Sequence, residues 1–260
     1  MLRDTFNEAA ELYDRARPRY PRALVDELAG QAGLGPGSRV LEIGPGTGQL
    51  TVPLAESGCD LTAVELGPAM ATVARRNLRP FPHAHVEVAD FELWPLPAEP
   101  FDLVVCATAF HWLDPAMRVT KVGQALRPGG TFARVTTEHV KGGTLDFFAR
   151  VQGCYERWDP ATPPGLRLQD ESEIATDTDE LAHWDDLRSF RWTREITYST
   201  QEYIDVLLTY SGHRALEAAR REGLLGCIRE LIDTRHGGRI TKCYLHELIM
   251  ARRPSQTGAP

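Results

Sequence analysis

Glu42 and the three glycines after it, at positions 44, 46 and 48, are the residues whose types and spacing speak most directly of chemistry. They sit in Val40-Leu41-Glu42-Ile43-Gly44-Pro45-Gly46-Thr47-Gly48, an apolar run of strand length that carries an acid and ends in a turn. Glycine permits positive φ and lets a ligand lie against the backbone. The chain continues into Gln49-Leu50-Thr51-Val52-Pro53-Leu54-Ala55, which reads as the start of a helix whose amides attract an anionic group. Glu42 suits the opposite charge, a cationic amine. A site that wants both a carboxylate and an ammonium wants an amino acid, which a bare dinucleotide lacks.

Other patterns limit the alternatives. The dinucleotide fingerprint needs a third glycine at 49, where this chain has Gln49. The Gly-Lys-Ser/Thr of phosphate-binding loops is absent, as are Cys-x-x-Cys and His-Glu-x-x-His, so no metal is expected. The chain has 260 residues, 42% hydrophobic and 25% charged, the balance of a soluble globular protein. Its net charge of −7 argues against nucleic acid and anionic membranes as partners. No apolar stretch has the length of a membrane span, and the first residues lack a secretory core. Five scattered cysteines, at 59, 106, 154, 227 and 243, fit reduced thiols in a cytoplasm better than a disulfide framework.

The elements that must position these residues alternate between helix and strand. Helices are expected over 4–16 and 22–32, strands over 38–43, 60–65, 86–90, 101–107 and 131–136. Helices over about 48–57, 68–78 and 115–126 connect them, the last stopped by Arg127-Pro128-Gly129-Gly130. Later, helices are expected over 145–158, 200–209 and 214–233, with strands over 189–198 and 239–250 and a frayed tail from Pro254. The pattern predicts an α/β fold with a mostly parallel sheet closed by an antiparallel edge.

Five landmarks now stand in order. Glu65 ends the second strand, Asp90-Phe91 ends the third, Phe101-Asp102-Leu103-Val104-Val105 forms the fourth, and Leu126 to Gly130 precedes the fifth. Together with Leu41 to Gly48 they resemble the class I S-adenosylmethionine-dependent methyltransferases over residues 5–140. The resemblance implies a Rossmann-like seven-stranded sheet with an antiparallel last strand, an N-terminal helical arm and a helical cap insertion. It divides the chain into an arm at 1–37, a cofactor-binding core at 38–140, a cap at 141–188 and 200–235, closing strands at 189–199 and 236–253, and a tail at 254–260. It implies S-adenosylmethionine as cofactor, bound by Glu42, Gly44, Gly46, Gly48, Glu65 on the ribose, Asp90 on the adenine amino group, Leu66 and Phe91 on its faces, and Ala107. Each has a plainer reading beside this one: a tight turn, a solvated strand end, a turn cap, ordinary core.

Tyr13-Asp14-Arg15-Ala16-Arg17-Pro18-Arg19-Tyr20-Pro21 resembles the N-terminal arm of the trans-aconitate methyltransferase-like branch. There Arg17 would pair with the methionine carboxylate while Tyr13 or Tyr20 covers the sulfonium; a solvated basic turn with Tyr packed on the sheet edge is the alternative. Phe110-His111-Trp112-Leu113 follows the fourth strand, at the sheet edge where ligands bind in open α/β folds. His111 is the candidate base, with Trp112, His139, Tyr210 and Arg214 as candidate acceptor contacts. The function expected is methyl transfer to a small-molecule acceptor, first of all to oxygen of a carboxylate or hydroxyl. A non-catalytic cofactor-binding regulator and a nicotinamide-dependent oxidoreductase are the alternatives.

Overall fold

The computed structural model describes residues 9–255. Residues 4–8 of the expected first helix and 256–260 of the expected frayed tail lie outside it. In chain order the elements are α1 (Ala10–Ala16), α2 (Arg22–Ala32), β1 (Arg39–Ile43), α3 (Thr51–Ala55), β2 (Asp60–Glu65), α4 (Pro68–Asn77), β3 (Ala84–Val88), β4 (Phe101–Ala107) and α5 (Arg118–Ala125). They continue with β5 (Leu126–Val140), α6 (Leu145–Arg150), α7 (Gln152–Trp158), β6 (Asp185–Ser199), α8 (Thr200–Leu207), α9 (Ser211–Ala215), α10 (Ala218–Arg235) and β7 (Arg239–Arg252).

The strands form one seven-stranded sheet in the order β3-β2-β1-β4-β5-β7-β6. The first five are parallel to their neighbours. β7 runs against β5: Gly129 and Gly130 exchange backbone hydrogen bonds with Arg253, while Thr144 bonds to Thr241. The expected α/β sheet with an antiparallel last strand is therefore present. The reversal of strand order lies between β1 and β4, and it puts the turns after those strands side by side in an open α/β sheet.

The chain divides into two compact units. The glycine-turn unit comprises Pro18–Thr137, Thr176–Trp192 and His246–Pro260. Its central strands are apolar on both faces, as parallel strands flanked by helices must be. Val40, Leu103 and Val105 join one core cluster with Leu24, Leu28 and Leu54. Leu41, Val104 and Cys106 join the other with Phe110, Val122 and Phe132. The aromatic unit comprises Met1–Arg17, Glu138–Ala175 and Thr193–Leu245. Its core packs Phe147 and Phe148 of α6 against Tyr203 and Ile204 of α8 and a stripe of α10, Leu224, Ile228 and Ile232, at helical spacing.

Several expectations need correction. β5 begins at Leu126, so the Pro-Gly-Gly that marks a stop is carried inside the strand. Leu126 pairs with Phe101 and Thr131 with Leu103, which leaves extra residues bulged out and held by Arg253. β3 ends at Val88, two residues before Asp90, and His139 lies within β5 rather than after it. The expected helix at 214–233 is split, because Leu216 and Glu217 are extended and the Glu217 carboxylate caps α10 by accepting from the amides of Ala219 and Arg220. Cys154 and Cys227 form a disulfide across α7 and α10, which overturns the expectation that all five thiols are reduced. Their Cα atoms are 5.8 Å apart although 73 positions separate them, a proximity that spacing cannot reveal. Among the described residues no helix is long and apolar enough to cross a membrane.

Candidate functional site

The turn after β1 is built on three left-handed glycines, with φ of 67° at Gly44, 62° at Gly46 and 99° at Gly48. Gly44 is also a place of close approach: a Cβ there would stand 2.7 Å from that of Ala109. The turn is fastened at several points. Gly44 donates to the Val64 carbonyl at 2.9 Å and Gly48 to that of Pro45 at 3.0 Å. Asn77 Nδ2 donates to the Thr47 carbonyl at 2.9 Å and Gln49 Nε2 to Thr47 Oγ1 at 2.6 Å. Glu65 clamps two loops at once, one carboxylate oxygen accepting from Gly46 N at 3.0 Å and the other from Gly67 N at 2.8 Å. The helix that follows, α3, has five residues rather than the expected ten, so its dipole contributes little to this turn.

Glu42 lies at the end of β1, 1% exposed, and its Oε2 has no hydrogen-bond partner. Burial pushes its carboxyl up to about 8; the nearby Thr51 hydroxyl opposes the shift and the Glu65 charge adds to it. An unpartnered carboxyl oxygen costs on the order of 1–3 kcal/mol. The group that removes this cost is a cation or donor placed against it.

The neighbouring strand ends supply further groups. Leu66 is half-buried and Phe91 is buried beside Trp94. Asp90 Oδ1 accepts from Glu92 N at 3.0 Å, so the carboxylate caps its own turn. After β4, Ala107 is buried and Thr108 has a φ of 53°. A β-branched residue in that region stores about 1–3 kcal/mol of strain. It is held by Thr108 N donating to the Val135 carbonyl at 2.8 Å and by a hydroxyl contact of 3.1 Å with Tyr20. Tyr20 in turn lies edge-on to His246, whose Nδ1 meets Thr137 Oγ1 at 3.0 Å. His111 and Trp112 follow in a short 3-10 turn, Phe110–Trp112, with ring centroids 4.7 Å apart. His111 is exposed; partial desolvation and then the Arg118 charge hold its pKa below the usual imidazole value. Arg118 itself is fixed by Glu180 and by the Phe110 carbonyl at 3.1 Å.

The remaining expected residues, Tyr13, Arg17, His139, Tyr210 and Arg214, belong to the aromatic unit. The Arg17 guanidinium lies 5.0 Å from the Tyr13 ring centre and 4.3 Å from that of Tyr210, and donates to the Thr209 carbonyl at 3.2 Å. Its Nε is buried without a partner. Arg214 starts its helix turn by donating from its backbone to the Tyr210 carbonyl. The cation on the Tyr210 hydroxyl is one the sequence reading missed, Lys242, at 3.1 Å. Lys242 is 5% exposed and faces the rings of Tyr210 and Tyr244. Its signal was a charge in the alternating run Ile240-Thr241-Lys242-Cys243-Tyr244-Leu245. Burial would raise the Tyr210 phenol, but Lys242 and Arg17 outweigh it and keep its pKa low. Burial and the same lysine push His139 down to about 3. Cation–π contacts return about 0.5–2 kcal/mol each, against several kcal/mol for burying an ion. Trp184 packs against Phe132 in the core of the glycine-turn unit, and Trp158 closes over Gly223 in the aromatic unit.

Residues 40–130 match a family model described as a methyltransferase domain. An uncharacterized methyltransferase of Mycobacterium tuberculosis is 39% identical over 131 residues, 50% of this chain and 51% of that protein. The chain thus spans about half the length of that relative. A protein of Anaeromyxobacter dehalogenans described as a type II methyltransferase superposes with a TM-score of 0.62 at 23% identity, covering 92% of this chain and 99% of that one. A phosphoethanolamine N-methyltransferase of Haemonchus contortus, solved with phosphomonomethylethanolamine and S-adenosylhomocysteine, superposes with a TM-score of 0.54 at 16% identity, covering 98% and 60%. At these identities the two structures are likenesses of fold.

Proposed function

We propose that the chain, whose residues 40–130 match a methyltransferase domain, is a class I S-adenosylmethionine-dependent methyltransferase and transfers a methyl group to a small-molecule acceptor. S-adenosylmethionine supplies the activated methyl on its sulfonium. The observation that carries the reading is Glu42: a buried carboxyl with an unpartnered oxygen, next to a turn whose glycines leave the backbone bare. That combination fits the ammonium and carboxylate of a methionine end.

In this proposal Glu42 takes the ammonium, Gly44, Gly46 and Gly48 offer their uncovered backbone, and the Glu65 carboxylate meets the ribose. Asp90 meets the adenine amino group, Leu66 and Phe91 flank the ring, and Ala107 lines the end of β4. The reading rests on residues of the glycine-turn unit alone. His111, neutral at pH 7, takes the proton of a hydroxyl or amine acceptor. A carboxylate acceptor needs no base, and oxygen of one of these two groups is the acceptor we favour. The net charge of −7 supports a small molecule over nucleic acid.

Calorimetry with S-adenosylhomocysteine tests the donor half: binding is expected, and its absence sinks the proposal. Labelled methyl donor incubated with small acids and phenols tests the acceptor half. Binding without turnover on any acceptor would turn the reading toward a non-catalytic binder.

A further inference from the structure

We propose that the aromatic unit binds a carboxylate, held by Lys242 and Arg17 on either part of Tyr210. The proposal stands on the unit's own geometry.

Two cations contact one ring. Arg17 lies over the Tyr210 face at 4.3 Å and Lys242 Nζ meets its hydroxyl at 3.1 Å. Neither has a carboxylate partner among the described residues: Arg17 meets a backbone carbonyl and two rings, Lys242 one phenol and two rings. Arg17 Nε and His139 Nε2 are buried with no partner at all. The other groups around the cluster are tyrosines, histidines, one arginine and one acid. Tyr198 and Tyr244 bond to each other at 3.0 Å, and Tyr155 bonds to His213 at 2.9 Å. Arg194 acts on Tyr198, and the acid that reaches the cluster, Asp159, acts on His213.

Buried positive charge without a counter-charge is costly, and aromatic faces return less than burial takes. An anion is the missing member. The flat walls of Tyr13, Tyr210 and Tyr244 suit a planar monoanion on an apolar or aromatic body better than a hydrated phosphate. The phenol hydroxyl and the unpartnered guanidinium Nε–H are the directional donors for it.

The test uses the full chain and its Lys242→Met variant. Thermal midpoints are read in sodium acetate, benzoate, succinate and phosphate, each against chloride at equal ionic strength. The carboxylates should raise the midpoint of the wild type by several degrees and leave the variant unmoved. In chloride the variant should be at least as stable as the wild type, because an uncompensated ammonium has been removed. No carboxylate effect in the wild type, an equal effect in the variant, or a variant less stable in chloride overturns the proposal; a rise with phosphate alone replaces the carboxylate. If Lys242→Met does not fold, Arg17→Met takes the same readings. A wild type that binds no S-adenosylhomocysteine but responds to carboxylates fails the methyltransferase reading and keeps the site.

Discussion

A glutamate that is 1% exposed and holds its carboxyl at about 8 is protonated in the free protein at pH 7. Bringing an ammonium against it lowers that pKa, so donor binding should release ~1 proton near neutral pH. Calorimetry in two buffers of different ionisation enthalpy measures this; the same release from Glu42→Gln would remove the assignment. The variant should also bind S-adenosylhomocysteine roughly 10- to 100-fold more weakly, the scale of one charge-assisted hydrogen bond. The same shift bears on stability. Between the usual glutamate value and about 8 the folded chain carries a proton on Glu42 that the unfolded chain has lost. The contribution of this group to stability therefore falls as pH rises through that window, and Glu42→Gln should flatten the fall. At His111 desolvation and then the Arg118 charge hold the pKa below the usual imidazole value, so the imidazole is a free base at neutral pH. His111→Asn should lower kcat on hydroxyl acceptors by roughly 10²–10⁴-fold and spare carboxylate acceptors; equal losses on both would make it a loop-fixing residue.

At the scale of the element, the glycine turn is where sequence and structure speak most nearly together. Gly44 and Gly48 share left-handed φ values, but a Cβ at Gly44 stands 2.7 Å from Ala109 while one at Gly48 finds its nearest neighbour at 3.5 Å. Gly44→Ala should therefore cost more than Gly48→Ala, which pays about 1–3 kcal/mol for conformation alone. Chemical denaturation compares the two, and equal losses would refute the close approach. The strands β2 and β4 are legible to their last residues, because each is an apolar run between turn formers. β5 is not legible at its start, since Pro128, Gly129 and Gly130 signal a stop that backbone hydrogen bonds from Arg253 override. α10 starts at a glutamate cap, a residue type that gives little warning of a helix boundary.

At the scale of the molecule, the cysteines separate what spacing can tell from what packing decides. The Cys154–Cys227 bridge leaves Cys59, Cys106 and Cys243 free and buried. Titration of the denatured, unreduced chain should count ~3 thiols per molecule; a count of five would remove the bridge. Opening it should cost about 2–5 kcal/mol, read as a lower midpoint in reductant.

The sequence by itself determined the alternation of helix and strand, the glycine turn with its acid, and the likeness of residues 40–130 to a methyltransferase domain. These are local: period, punctuation and short motifs act within a few residues, so they survive in one dimension. Tertiary structure alone decided that one Glu42 oxygen is left without a partner, that Glu65 clamps Gly46 and Gly67, and that Lys242 and Arg17 meet on Tyr210. It also decided that Cys154 meets Cys227. Each of these depends on what lies opposite a side chain after folding, which is set by burial and by partners far away along the chain.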